Sequence, residues 1–541
     1  MSYSVDIGNG VMRSPLAKDK LIENNEDGYY DVFLRAIEKS NDGPYLGTLH
    51  LKTLEYQWLK YSEVKEMVCK AGSALEHLTA KKSNIGIYAL NRKEWTITEL
   101  GCVRNNLVTV PLYDTLGKEA IVHIINETEM KLCVLAGNRI SAVIDAKNEG
   151  LLDCLKILVS MDDVDDSLRK RAEESGLSVH SFSDFLKLGS EHLTDESGKS
   201  TNSDVFTICY TSGTSGMPKG VVMTHRIILS IARCVEFMGE HKTIHEFSKN
   251  DVHLSYLPLA HVFERVLQVL LLQAGSQVGY YRGDPLKILD DVQILKPTIF
   301  VSVPRLYNRI YDKISQGVAD KSGIAKFLFN TAFASKMKGL AKNKVTHWFW
   351  DKLVFGGIRK RLGFERCQIM ITGSAPISGD VLQFLRIVFS CPVLEGYGQT
   401  ESAGGVTTTH LGDTSVGHVG GPVPCIEIKL ADLPEMSYLS SDKPFPRGEI
   451  CYRGANAFAE YFKSPEKTKE TIDKDGWIHT GDVGLWDDKG RLRIIDRAKN
   501  IFKLAQGYFN TNIVNILLQR RLKMSTSNTH WLLKCFALGI H

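Results

Sequence analysis

Twice in the middle of the chain an apolar, β-branched run gives way at once to a helical pattern, and this alternation restricts the possible folds sharply. Residues 298–303 precede a helix that opens at Pro304. Residues 367–372 precede another, on which Val381, Phe384, Leu385 and Val388 share one face and Ser378 is placed to cap the first turn. Strands that feed helices in this way form a largely parallel, doubly wound α/β sheet, because a parallel neighbour is reached only by a crossover. After Gly420 the pattern changes. Ile426, Ile428 and Leu430 alternate with Glu427 and Lys429, and residues 483–495 read as two strands around the turn DDKG. That period of two predicts a small antiparallel β unit beside the doubly wound part. At 541 residues, 43% of them hydrophobic, the chain has material for roughly three to four units of ordinary domain size.

The first two hundred residues read as mixed α/β, with strand-like runs at 84–88 and 107–112 and a helical pattern at 62–78. The polar stretch EHLTDESGKSTNSD, residues 191–204, offers no face to bury and marks a loop at a subdomain boundary. The strongest apolar run, residues 266–274, is short and broken by Gln268 and Gln273, so no membrane-spanning helix is expected. The opening residues MSYSVDIGNGVMRSPLAKDK lack the apolar core of a secretory signal, which points to the cytoplasm or the cytosolic face of a membrane. Eleven cysteines are scattered, the nearest two 21 residues apart, so neither a disulfide scaffold nor a structural zinc site is expected. The formal charge of +4 resides in residues 508–541, which hold Arg520, Arg521, Lys523 and Lys534 and no acid. The rest is balanced, and no nucleic-acid partner follows from charge.

Four segments carry chemistry. YTSGTSGMPKG, residues 210–220, follows a strand-like run and is rich in phosphate-binding parts. Gly213 and Gly216 let backbone amides approach an anion, Thr211, Ser212, Thr214 and Ser215 can donate hydrogen bonds, and Lys219 adds a mobile charge. It is not a Walker A loop: Pro218 stands where the second glycine belongs, Gly220 follows Lys219, and the next residues, VVMT, read as a strand. The alternative is a flexible surface loop. ITGSAPIS, residues 371–378, ends a strand with Gly373 and Ser374 and could bring backbone against a flat ring. In EGYGQTES, residues 395–402, Tyr397 could stack on a purine, Thr400 bind phosphate, and Glu401 supply a hard oxygen ligand for magnesium. Either could equally be an ordinary strand-to-helix turn. In residues 475–507, Asp482 could accept two ribose hydroxyls, and Arg497 and Lys499 could bind phosphate or form a polar hinge. A turn residue and solvated charges are the competing readings there.

Together the four segments resemble the acyl-adenylate-forming superfamily. The stretches VPLYDTLGKEAIVHIINET, LPLAHVFERV, LKPTIFVSVPRLYNRIYDKI and MITGSAPISGDVLQFLR resemble its long-chain fatty acid–CoA ligases, and the likeness runs from about Asn25 to Gly507. The resemblance implies an N-terminal extension at 1–24 and an adenylate-forming domain at 25–495, with subdomains 25–200, 201–419 and 420–495, followed by a hinge at 496–507. It implies a long-chain fatty acid, ATP and coenzyme A as substrates with Mg²⁺ as cofactor: the acid is adenylated, then the thiol of coenzyme A displaces AMP. By the family's motifs, Ser212, Gly213, Thr214, Ser215, Gly216 and Lys219 resemble the phosphate loop. Gly373, Ser374 and Ala375, with Glu395, Gly396, Tyr397 and Gly398, resemble the adenine wall. Thr400 and Glu401 resemble the phosphate and magnesium contacts, Asp482 and Arg497 the ribose contacts, and His261 a ring near the carboxylate.

Apolar residues 262–272 and 381–389 could line an acyl tunnel, since each buried CH₂ contributes about 0.8 kcal/mol, or could be plain core. The implied setting is cytoplasmic, with peripheral attachment to the cytosolic face of the endoplasmic reticulum or another membrane. Residues 508–541 do not align with the family's small mobile domain, which supplies an adenylation lysine. That domain is therefore expected to be mostly missing and turnover impaired. The acid-free composition and abrupt onset of the tail read as an altered frame or retained intron. The other reading is a short amphipathic tail in which Ile513, Ile516, Leu517, Arg520 and Arg521 suit an anionic membrane. The functional alternative is a catalytically silent fatty-acid or nucleotide-binding scaffold, or an unstable splice fragment.

Overall fold

The β-branched runs form strands where the alternation predicts them, and the computed structural model describes residues 2–24, 28–195, 200–211 and 217–497. Ile299–Ser302 is followed by the helix Pro304–Ala319, and Ile369–Thr372 by the helix Gly379–Phe389. Proline at the first helical position costs no hydrogen bond, and the Ser378 hydroxyl accepts from the Asp380 N–H as an N-cap.

Among the described residues the strands form three sheets of seven, nine and six. The seven-stranded sheet runs 219–224, 205–211, 108–111, 84–88, 132–135, 157–160, 178–181 and is parallel except for the hairpin of its first two strands. Its faces are both covered: Leu132 and Val134 enter one buried cluster, Cys133 and Leu135 the other. The nine-stranded sheet has a parallel centre, 393–397, 369–372, 299–302, 252–255, 277–280 and 44–50, with antiparallel strands at both edges. The six-stranded sheet is antiparallel throughout and contains Ile426–Ala431, Arg447–Gly454, Ile478–Trp486 and Leu492–Arg497.

The sheets do not follow the linear divisions at residues 24, 200 and 420. Strands Val5–Asp6 and Met12–Arg13 of the N-terminal extension complete the antiparallel sheet, and Arg13 pairs with Glu427. Strands at 205–224 complete the sheet begun by residues 84–181, and those at 44–60 complete the nine-stranded one. Long-range pairing of this kind leaves no local signature, because a strand's pattern reports that it is buried and not beside which neighbour.

A buried ion pair links the two large sheets, which also share one hydrophobic cluster. Arg265, on the helix Val262–Gln273, pairs with Glu99 on Lys93–Arg104 and donates to the hydroxyls of Thr207 (2.6 Å) and Thr109 (2.9 Å). Its guanidinium also lies 4.6 Å from the Phe206 ring centre.

Candidate active site

A cleft of about 1280 Å³ opens where the carboxyl ends of Val205–Thr211, Ile369–Thr372 and Val393–Tyr397 face the strand Ile478–Trp486. Carboxyl ends of parallel strands are where open α/β sheets hold ligands, since loops diverge there and leave backbone exposed. Of the residues expected from sequence, Thr211, Lys219, His261, Gly373, Ser374, Gly396, Gly398, Thr400, Glu401 and Arg497 line it. Ser212, Gly213, Thr214, Ser215, Gly216 and Lys499 lie outside the described residues, as do residues 498–541. Ala375, Glu395, Tyr397 and Asp482 are not part of the wall.

The Tyr397 hydroxyl is engaged by the protein: its O–H donates to Asp482 Oδ2 at 2.8 Å. The same oxygen accepts from Gln399 Nε2 at 3.0 Å, and Oδ1 pairs with Arg497 at 3.2 Å across directly opposed strand positions. Asp482 is thus engaged by three protein groups, and burial keeps Tyr397 protonated as the donor. Glu395 is buried, and desolvation raises its pKa to about 7 against the pull of Arg386.

Lys219 and Glu401 are brought near each other by Tyr461. Lys219 Nζ lies 5.0 Å from the Tyr461 ring centre, and the Tyr461 hydroxyl donates to Glu401 Oε1 at 2.6 Å. Backbone bonds fix this arrangement: Val222 N–H donates to Glu460 O and Phe462 N–H to Gly220 O, clamping the lysine-bearing strand to the 460–462 segment. The buried Asn456 amide donates to Ser402 O and Gly405 O, both at 2.7 Å, and holds the turn carrying Thr400 and Glu401. A Cβ on Gly398 would lie 2.2 Å from Gly404 O, so only glycine fits there. Ser374 takes φ +67°, a left-handed conformation that turns the chain out of its strand at the cleft.

His261 caps the helix Val262–Gln273, its Nδ1 accepting from the Phe263 N–H at 3.2 Å, and burial lowers its pKa. The ring is therefore neutral at pH 7, with Nε2 carrying the proton. Of the apolar segments, Val262 and Phe263 reach the cleft. Val381, Leu382, Phe384, Leu385, Ile387, Val388 and Phe389 are buried and none is in the wall, so the core reading holds for residues 381–389.

Sequence reasoning missed Thr372, Gln399, Glu449, Tyr461 and His479. The Thr372 hydroxyl is buried without a partner and its residue lines the cleft. Its place at the end of a strand just before Gly373 was the available signal. His479 meets Cys451 Sγ at 3.4 Å and Glu449 Oε2 at 2.8 Å, and these raise its pKa to about 10. The cleft therefore carries three cationic groups, Lys219, Arg497 and His479, beside the carboxylates of Glu401, Glu449 and Glu470. Glu401 with the Thr400 hydroxyl is a sparse, all-oxygen donor set. Such a set fits Mg²⁺, which takes one or two carboxylates and completes its shell with water and phosphate.

Two large, mostly parallel sheets and a smaller antiparallel one around a polar, charged cleft at strand carboxyl ends form an adenylate-forming fold. Solved structures share it. The adenylation domain of a carboxylate reductase from Mycobacterium chelonae superposes with a TM-score of 0.72 at 21% identity, covering 90% of this chain and 75% of that one. An anthranilate CoA ligase bound to anthranoyl-AMP superposes at 0.68 and 18% identity, covering 87% and 78%. The family model described as AMP-binding enzyme matches residues 37–462. Long chain acyl-CoA synthetase 7, peroxisomal, of Arabidopsis thaliana is 41% identical over 94% of this chain and 73% of its own length. Long-chain-fatty-acid–CoA ligase 5 of Rattus norvegicus is 42% identical over 94% and 74%. The chain belongs to the AMP-binding enzyme family, among the long-chain acyl-CoA synthetases.

Proposed function

We propose that the chain activates a long-chain fatty acid with ATP and transfers the acyl group to coenzyme A. The carboxylate attacks the α-phosphorus of ATP and pyrophosphate leaves; the thiol of coenzyme A then attacks the acyl carbonyl, loses its proton, and AMP leaves. The observation that carries this reading is the convergence of Thr211, Lys219, Gly373, Thr400, Glu401 and Arg497 on one cleft from separate segments of the chain.

The residues act by placement and charge, because phosphoryl chemistry of this kind needs little covalent help. Lys219, held over Tyr461, opposes charge on the triphosphate. Thr372 and Thr400 donate to its oxygens. The exposed backbone at Gly373 and Gly396 accepts the flat base, and Arg497, set by Asp482, meets the ribose side. Neutral His261 offers an Nε2–H to the fatty carboxylate without neutralising it as a nucleophile. Glu401 and Thr400 would hold Mg²⁺, which supplies further charge neutralisation of the phosphates.

The proposed place of work is cytoplasmic, at the face of a membrane; among the described residues no helix is long and apolar enough to cross one. Exchange of labelled pyrophosphate into ATP that depends on added oleate tests the reading. Exchange rising with oleate supports it, whereas nucleotide binding without exchange would leave only a binding protein.

A further inference from the structure

Beyond the cleft, the strongest unexplained surface is the helical hairpin spanning residues 321–361. Of the thirteen large hydrophobic side chains exposed among the described residues, five lie here: Ile324 (78% exposed), Phe327 (69%), Trp348 (83%), Phe349 (41%) and Leu353 (55%). Ile324 and Phe327 share the outer face of the helix Ile324–Leu340, three residues apart, with Lys338 further along it. The antiparallel return, Trp348–Trp350 and Asp351–Phe355, packs beside that helix through Phe329 against Phe355 and through Lys336 bonded to Asp351 at 2.5 Å.

The same residues hold ten Lys and Arg and a single acid, Asp351. Among the described residues Lys336 is the only one of the ten with an ion pair, and its partner is that acid. The outer surface thus combines aromatic side chains with unneutralised Lys321, Lys326, Lys338, Lys342, Lys344 and Lys352.

We propose that this hairpin docks the protein on an anionic lipid bilayer. Aromatic rings favour the headgroup boundary, where one edge is apolar and the other wet, and lysines nearby are drawn to a negative surface. The charge decides between occupants. A second copy of the chain would set nine bases without an ion pair against nine across a symmetric contact. Residues 508–541 carry four bases and no acid, and would be repelled as well. The hairpin packs on the helix Gly379–Phe389 through Phe333 and Phe384, whose ring centres are 5.7 Å apart. Lys336 also donates to Ile387 O and Ser390 Oγ at the C-terminal end of that helix, which fixes the hairpin to the body of the molecule. The inference deepens the proposed working place of the protein but rests on the surface alone; the nucleotide chemistry stands or falls separately.

Flotation of the full chain tests it, with vesicles of phosphatidylcholine containing phosphatidylglycerol compared with pure phosphatidylcholine. The variants are Phe327→Ser/Trp348→Ser, Lys338→Glu/Lys342→Glu/Lys344→Glu, and the tail control Arg520→Glu/Arg521→Glu. The expected result is binding to the anionic vesicles that falls at least about tenfold on neutral ones and in both hairpin variants. Thermal melting and oleate-dependent exchange in detergent should be unchanged, and the tail control should still float. Equal flotation of hairpin variants and parent, loss through the tail control alone, or no flotation of the parent would overturn the proposal. So would self-association in sedimentation that the hairpin variants abolish without changing flotation.

Discussion

Glu401 is the residue on which the metal reading turns. Its carboxylate is half-buried on the cleft wall and accepts from Tyr461, so Gln keeps the shape and one acceptor while removing the charge. Glu401→Gln should lower oleate-dependent exchange by at least about a hundredfold, as loss of a group acting on transition-state charge does. Exchange at the parent rate would remove Glu401 from the site. Glu395 gives a pH signature. Burial raises its pKa from the ordinary glutamate value of 4.5 to about 7, so the folded chain holds this proton more tightly than the unfolded one. Folded chains then bind more protons between those values, and stability falls as pH rises through that window. Glu395→Gln should match the parent near pH 4.5 and exceed it above pH 7 by up to about 3 kcal/mol. Urea melts at both pH values check this, and a variant less stable than the parent at the higher pH would contradict it. The cleft residues in motifs were legible because glycine, threonine and lysine at strand ends have few structural uses together. Tyr461 and the Asp482 hub were not, because their roles come from partners 60 and 85 residues distant.

At the scale of elements, the link between the large sheets is the test of how the fold is held. Arg265 and Glu99 are both buried, and removing one partner leaves an uncompensated charge in an apolar setting. Glu99→Ala should cost about 3–5 kcal/mol in chemical unfolding, and a double change of Glu99→Leu and Arg265→Met substantially less. Equal losses in single and double variants would place the stabilisation elsewhere. Strand–helix alternation, the Ser378 cap and the antiparallel strands after Gly420 were all readable, since they are local patterns with periods of 2 or 3.6. Which strands share a sheet was not. Strand 205–211 reads like any buried strand, and its pairing with 108–111 depends on chain nearly a hundred residues away.

For the whole molecule, function follows from assembly: three sheets, interleaved in sequence, place Lys219, Thr400, Glu401 and Arg497 around one volume. The chain spans 73% and 74% of the lengths of its Arabidopsis and rat relatives. Ligand linkage provides one check on that assembly. ATP bound across elements of all three sheets should raise the melting temperature cooperatively, with about 2.7 kcal/mol of added stability at a hundred times its Kd. A thermal scan in which the transition splits, with only one part responding, would contradict a single shared cleft. The central claim is most directly tested by titration calorimetry of ATP into the folded protein with and without Mg²⁺. Saturable binding is predicted that weakens at least about tenfold when the metal is chelated or in Glu401→Gln; a folded protein that binds no ATP, or binds it equally well under all three conditions, would contradict the account.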